Sequence, residues 1–172
     1  MQETHDNLRN PARFEEVFTE FSDKIYRYVM VNLRSKEEAE DVTSTTFIRL
    51  WEYVSTRDGT IKNLQAFLYR IARHCLIDTV RRRKPMASIE EMQDVGREIG
   101  DPSRPFPEIL GDLEIVRRGL AHLRSYDRDL IVWRFIEGIP VYEIALMLGI
   151  SENAASVRIY RALRRLKTFI ET

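Results

Sequence analysis

The segment from Pro140 to Lys167 constrains this chain more than any other. It reads Pro-Val-Tyr-Glu-Ile-Ala-Leu-Met-Leu-Gly-Ile-Ser-Glu-Asn-Ala-Ala-Ser-Val-Arg-Ile-Tyr-Arg-Ala-Leu-Arg-Arg-Leu-Lys. The pattern predicts a short helix, a tight turn at Gly149, and a second helix opened by Ser151. Glycine supplies the positive φ that a sharp helix-to-helix turn needs. The Ser151 hydroxyl is suited to accept from one of the orphan N–H groups at a helix start. Ile144, Ala145 and Leu148 are expected to face inward on the first helix, and Val157, Leu163 and Leu166 on the second. The outward positions then carry Glu152, Asn153, Ser156, Arg158 and Arg161, followed by Arg164, Arg165 and Lys167. Such a helix-turn-helix presents its second member to a DNA major groove. The blander alternative is a helical hairpin with a solvated basic face.

Composition sets broad limits. The 172 residues are 44% hydrophobic and 31% charged, enough for one medium domain or two small ones. The formal net charge is +0, so no global field announces a polyanionic partner. The charge is unevenly placed, however, and local patches decide phosphate binding. Arg81, Arg82, Arg83 and Lys84 form one basic run and the last helix another, with an acidic stretch from Glu90 to Asp112 between them. The single cysteine, Cys75, leaves no internal disulfide and suits a reducing cytosol. No signal peptide or long apolar span is read, so a cytoplasmic protein without a membrane span is expected.

Helical spacing runs through Phe14, Val17, Phe18, Phe21, Ile25, Tyr28 and Val29. A second helix starts at Ser35, with Glu38 completing a capping box, and turns Ala39, Val42, Phe47, Leu50 and Trp51 inward or onto a partner. The period breaks near Asp58-Gly59, a strong turn signal. A third helix is predicted from about Asn63 to Lys84, burying Phe67, Leu68, Ile71, Ala72, Cys75 and Leu76, and Pro85 ends it. Four prolines and three glycines between Pro85 and Asp112 read as a linker. Helices at about 108–124 and 127–137 precede the helix-turn-helix, and no strand pattern is found. The expected fold is all-α, two small helical domains (10–84 and 113–172) joined by a flexible acidic linker (85–112).

The third helix has its own chemistry. Tyr69, Arg70, Arg73, His74, Ile77 and Arg81 lie outside its apolar stripe. Arginines bind phosphate, and exposed aromatics stack on bases that have left the duplex. Beside the polar loop Thr56 to Asn63, such a face is suited to separated DNA strands. The alternative is a solvated basic helix with all its aromatics in the core. No set of Cys and His has metal spacing, and there is neither a glycine-rich phosphate loop nor a nucleophile elbow. No enzyme activity, metal or cofactor is therefore expected.

Taken together, these segments resemble an extracytoplasmic-function (ECF, group IV) sigma factor of bacterial RNA polymerase, in the sigma-70 family. Ala39-Glu-Asp-Val-Thr-Ser-Thr-Thr-Phe-Ile-Arg-Leu-Trp51 is similar to the family's clamp-gripping segment. Phe67 to Lys84 resembles its promoter-melting helix, and Glu143 to Leu166 its −35-reading domain. The resemblance implies that Asp41, Phe47, Arg49, Leu50 and Trp51 bind core polymerase. It implies −10 contacts from Arg57, Asp58, Lys62, Asn63, Tyr69, Arg70, Arg73, His74, Arg81, Arg82 and Arg83. The −35 element would meet Asn153, Ser156, Arg158, Arg161 and Arg165. Implied partners are promoter DNA, the clamp helices of the largest polymerase subunit, the flap of the second largest, and an anti-sigma factor that sequesters the chain, at the membrane in some cases. The chain departs from the family at Ser44 and Thr45, where a glutamine and an acid are usual. His74 stands for a common asparagine, and Ser156 for a frequent lysine or arginine.

Two other readings stay open on the residues alone. A helix-turn-helix regulator would explain Pro140 to Lys167 but not the basic third helix. A sigma mimic that titrates an anti-sigma factor would tend to lose the basic residues this chain keeps.

Overall fold

The computed structural model describes residues 2–33, 35–83 and 111–170, and the chain divides into two units on either side of residue 84. In the first unit a two-residue strand β1 (Glu3–Thr4) leads into α1 (His5–Arg9), α2 (Pro11–Leu33), α3 (Lys36–Thr56), strand β2 (Thr60–Ile61) and α4 (Leu64–Arg83). Each long helix starts where the sequence offers a cap. Pro11 occupies the first turn of α2, where a missing N–H costs nothing, and the Asn10 side-chain oxygen accepts from Ala12 N–H at 3.0 Å. Ser35 Oγ accepts from Glu38 N–H at 3.5 Å, and Asn63 Oδ1 from Ala66 N–H at 3.0 Å.

The apolar stripes of α2, α3 and α4 then face one another. Val17, Ile25 and Val29 of α2, Ala39, Leu50 and Val54 of α3, and Leu64, Leu68 and Ala72 of α4 are fully or almost fully buried. Sealing such side chains from water stabilises a domain by about 1.5–3 kcal/mol for each large one. Phe18, expected in the α2 stripe, is 45% exposed.

Two expectations are corrected here. Strands do occur: β1 pairs antiparallel with β2, Glu3 opposite Ile61 and Thr4 opposite Thr60. The first domain also begins before residue 10, because Leu8 is fully buried and α1 packs on α2 and α3. Two-residue strands carry no alternation that a sequence pattern can register.

The second unit holds α5 (Gly111–His122), α6 (Ser125–Ile131), a π-helical turn (Val132–Ile136), α7 (Val141–Leu148) and α8 (Glu152–Ile170). The expected helix over 127–137 thus starts earlier and ends in the wider turn, where Glu137 N–H reaches the Val132 carbonyl at 2.9 Å. The expected linker lies outside the described residues as far as residue 110. Gly149 closes α7 with φ 63° and ψ 36°, the left-handed conformation. Ile150 N–H returns to the Ala145 carbonyl at 3.1 Å and Gly149 N–H to Leu146 at 3.3 Å, a Schellman closure. Ser151 Oγ then accepts from Ala154 N–H at 3.2 Å and starts α8.

The inner face of α8 differs from the expectation. Ala155, Ile159, Ala162 and Leu166 are buried, whereas Val157 and Leu163 are 41% and 40% exposed. Spacings of four, three and four keep the buried set on one stripe, and Val157, two residues past Ala155, points roughly 200° away. Leu120, Leu123 and Ile131 meet Ala162 and Leu166 in a common cluster.

Candidate nucleic-acid interfaces

The loop between α3 and α4 stands on an aromatic base. The Arg57 guanidinium lies 4.9 Å from the centre of the Tyr53 ring. Tyr53 packs on Phe67 at 4.8 Å, and Arg70 covers Phe67 at 4.9 Å. The result is a continuous stack, Arg57–Tyr53–Phe67–Arg70, crossing from α3 to α4. Both cations are exposed at its ends, and both rings are half-buried. Lys62 is exposed beside it, while Asn63 spends its side-chain oxygen on the α4 cap. Tyr53 and Phe67 are not among the expected −10 contacts; the i, i+4 pair Tyr53/Arg57 and the i, i+3 pair Phe67/Arg70 are the sequence signal for them.

Along α4, Arg70, His74, Arg81 and Arg82 are exposed and Arg73 half-buried; the Arg83 side chain lies outside the described residues. His74 is held below the ordinary imidazole pKa, first by loss of hydration and then by Arg73 and Arg70, so its neutral form is favoured. Tyr69 is the clear correction. It is fully buried, its ring 5.3 Å from that of Tyr28 in an edge-on contact, and it belongs to the core and not to the exposed face. A tyrosine inside an apolar stripe and one just beside it look alike in sequence.

The α3 surface also differs residue by residue. Asp41, Ser44, Ile48 and Trp51 form an exposed row at helical spacing. Ile48 is 56% and Trp51 40% exposed, and Trp51 rests edge-on against Phe14 at 5.1 Å. Leu50 and Phe47, expected on the binding surface, are buried within the unit, with Phe47 against Phe18 at 4.8 Å. Arg49 is half-buried and ion-paired across to Asp78 of α4 at 3.1 Å, a bond that raises its guanidinium pKa further.

In the second unit the expected −35 face splits into two. Asn153 and Ser156 lie on one exposed row of α8 with Val157 and Tyr160. Arg158, Arg161 and Arg165 instead line a shallow cleft of about 340 Å³ with Arg124, Tyr126 and Asp127 of the α6 region. Arg158 donates to the Tyr126 hydroxyl at 2.5 Å and covers its ring at 5.5 Å. Arg165 pairs with the buried Asp127 carboxylate. Arg161 is exposed in the cleft and makes neither of those side-chain contacts. The fold also depends on Arg128, which sequence reading passed over. It is 1% exposed and donates to the Leu120 carbonyl at 2.8 Å and the Leu123 carbonyl at 3.0 Å, closing the end of α5.

Among the described residues no group of three or more His, Cys, Asp or Glu side chains is placed to hold a metal ion, and no helix is long and apolar enough to cross a membrane.

Comparison with known proteins gives these surfaces a context. Residues 17–85 match the family "Sigma-70 region 2", and residues 113–166 match "Sigma-70, region 4". A region 2 followed by a region 4 defines a promoter-specificity factor of transcription initiation. The chain is 30% identical to the ECF RNA polymerase sigma factor BldN of Streptomyces coelicolor over 158 residues, 89% of this chain and 58% of that longer protein. It is 27% identical to SigW of Bacillus subtilis (90% of this chain, 87% of SigW) and 26% identical to the ferric citrate uptake sigma factor FecI of Escherichia coli (91% and 90%). The chain belongs to the sigma-70 family of RNA polymerase sigma factors, in its ECF group. The fold agrees. The sigma factor RpoE of Bartonella quintana, solved with the anti-sigma factor NepR, superposes with a TM-score of 0.72 at 20% identity, over 92% of this chain and 97% of that one. CnrH, solved with the cytosolic domain of CnrY, gives a TM-score of 0.66 at 20% identity, over 94% and 90%.

Proposed function

We propose that this sigma factor docks on core RNA polymerase through the exposed α3 row Asp41, Ser44, Ile48 and Trp51, and opens and reads the −10 element with the α3–α4 loop and α4. The observation that carries this reading is the stack Arg57–Tyr53–Phe67–Arg70 under the loop. Extruding a base from a duplex costs a few kcal/mol. A base that takes an arginine's place on a ring face recovers roughly 1–3 kcal/mol of stacking, and the displaced arginine turns to phosphate. Arg81 and Arg82 continue the cationic track along α4. Asn153 and Ser156, with Tyr160, meet −35 base edges in the major groove, while Arg158, Arg161 and Arg165 sit along the groove wall and engage phosphate. The part played is recognition and strand opening, with nucleotide chemistry left to the polymerase.

The same exposed apolar residues suit an anti-sigma partner, and the RpoE structure, solved with the anti-sigma factor NepR, supports that reading. A cytoplasmic location follows from the proposed partners. The test is co-migration with core polymerase on a native gel. Ile48→Asp combined with Trp51→Asp is expected to abolish co-migration while leaving binding to −35 duplex within twofold. Undiminished co-migration of that double variant would refute the assignment of the docking row.

A further inference from the structure

The chain segment before α2 grips the α3–α4 loop from behind. Strand β1 pairs with β2, the last part of the loop. His5 N–H donates to the Gly59 carbonyl at 3.0 Å, and its ring nitrogen Nδ1 bonds the Arg57 carbonyl. The His5 ring is almost completely buried and meets Tyr53 edge-on at 5.2 Å, so it also braces the aromatic platform. Arg9 reaches three points at once. It bonds the Val54 carbonyl at 2.7 Å, the Arg57 carbonyl at 2.8 Å and the Asp58 carboxylate at 2.8 Å. Gly59 fits the grip, because its φ of 149° is one that residues with a side chain rarely adopt. The segment is itself anchored, because the buried Glu3 carboxylate is held by Asn7 at 2.7 Å and by Arg13 of α2 at 2.5 Å.

The geometry points to His5 and Arg9 as positioning residues for −10 recognition: residues 3–9 hold the α3–α4 loop in its base-reading shape before DNA arrives. This rests on the loop being the −10 reader. A loop whose backbone carbonyls are already tied at Arg57 and Gly59, next to an Arg9 bond that anchors the last turn of α3 at Val54, does not have to be ordered by DNA, and preorganisation of this kind appears directly as affinity. It also sharpens discrimination, since a loose loop can adapt to the wrong base. His5 and Arg9 need touch no nucleotide for this effect.

The test uses the full chain bound to core polymerase on a promoter obtained by selection from a random library. Forked templates carrying each base at each −10 position are titrated, alongside −35 duplex binding, core co-migration and thermal melting. Arg9→Ala and His5→Ala are expected to weaken binding to the preferred forked template about tenfold and to flatten base preference at −10. The −35 affinity and core co-migration are expected to stay within twofold. His5→Asn, which can keep a donor toward the Arg57 carbonyl, is expected to recover most of the preference. Arg9 is partly exposed, so its alanine variant keeps the test open if loss of buried His5 unfolds the unit. Arg57→Ala and Lys62→Ala report on the underlying reading. If they alter the −10 profile while Arg9→Ala leaves it as in the wild type, the buttress alone is refuted. If none of Arg9→Ala, His5→Ala, Arg57→Ala and Lys62→Ala alters it, the loop is not the reader and both conclusions fall.

Discussion

Replacing Arg128 with methionine tests how the second unit is held together. The side chain is 1% exposed, and its guanidinium donates to the Leu120 and Leu123 carbonyls at 2.8 and 3.0 Å, with a longer reach to Ala121 at 3.5 Å. Methionine keeps most of the length and apolar volume but removes every donor. Hydrogen bonds involving a charged group contribute roughly 1.5–3 kcal/mol each, and a buried acceptor deprived of its donor costs about 1–3 kcal/mol. Leu120 retains a 3.3 Å bond from Leu123 N–H, which offsets part of the loss. Relief from holding a buried cation offsets more. The net expectation is about 3 kcal/mol of destabilisation. A helical unit of about 60 residues has a total of roughly 3–9 kcal/mol, so the change removes a third or more of it. The two tryptophans of the chain give a clean readout. In a Trp51→Phe background, the fully buried Trp133 reports urea unfolding of the second unit alone. Arg128→Met should move that transition to markedly lower urea and weaken −35 duplex binding in proportion to the fraction unfolded. A change below about 0.5 kcal/mol, the range of ordinary surface substitutions, would refute the argument that Arg128 closes α5.

Three further outcomes are expected. Tyr69→Phe should leave the −10 base preference unchanged, and Tyr69→Ala should destabilise the first unit by about 3–5 kcal/mol, as for other large core truncations; a flattened base preference in a fully folded Tyr69→Phe chain would return Tyr69 to the DNA face. Arg161→Ala should weaken −35 binding across all sequences and reduce the slope of log affinity against log salt by about 1, as loss of one phosphate contact requires; an unchanged slope would remove Arg161 from the phosphate-contact set. His74 has a folded pKa below its ordinary value, so the unfolded chain binds the proton more readily. Its contribution to stability is therefore present above about pH 6.5 and lost as pH falls below it. Urea midpoints of the first unit at pH 7.5 and 5.5 should differ more in the wild type than in His74→Asn, and equal differences would contradict the assignment.

Much of this molecule is legible in its sequence because its signals are local. The caps at Ser35 and Ser151, the left-handed Gly149 and the basic run on α4 each follow from residues within one or two turns of one another. What stayed hidden depends on partners far along the chain. Arg9 looks like any surface arginine until the fold brings it to Asp58, and His5 until it meets Gly59 and Tyr53. Arg128 reads as one more charge on a polar helix, although it is among the most buried side chains of its unit. The candidate sites divide in the same way. Asp41, Trp51, Arg70, His74 and Arg161 lie on exposed or half-exposed surface as expected, whereas Tyr69, Phe47 and Leu50 are core. Tyr69 and Phe47 sit toward the edge of an amphipathic stripe, where a rotation of one residue decides the side, while Leu50 lies at the middle of the buried face of α3. Arg158 and Arg165 are on the expected helix but engage Tyr126 and Asp127 of α6, contacts that no spacing rule within α8 reveals.

The most direct test of the whole account is run-off transcription by core RNA polymerase and this chain on a library of random promoters. Transcripts should require the chain, and their start sites should share two motifs at a fixed spacing, the upstream one altered by Asn153→Ala and the downstream one by Arg57→Ala. Transcripts independent of the chain, or none at all despite stable assembly with core, would contradict it.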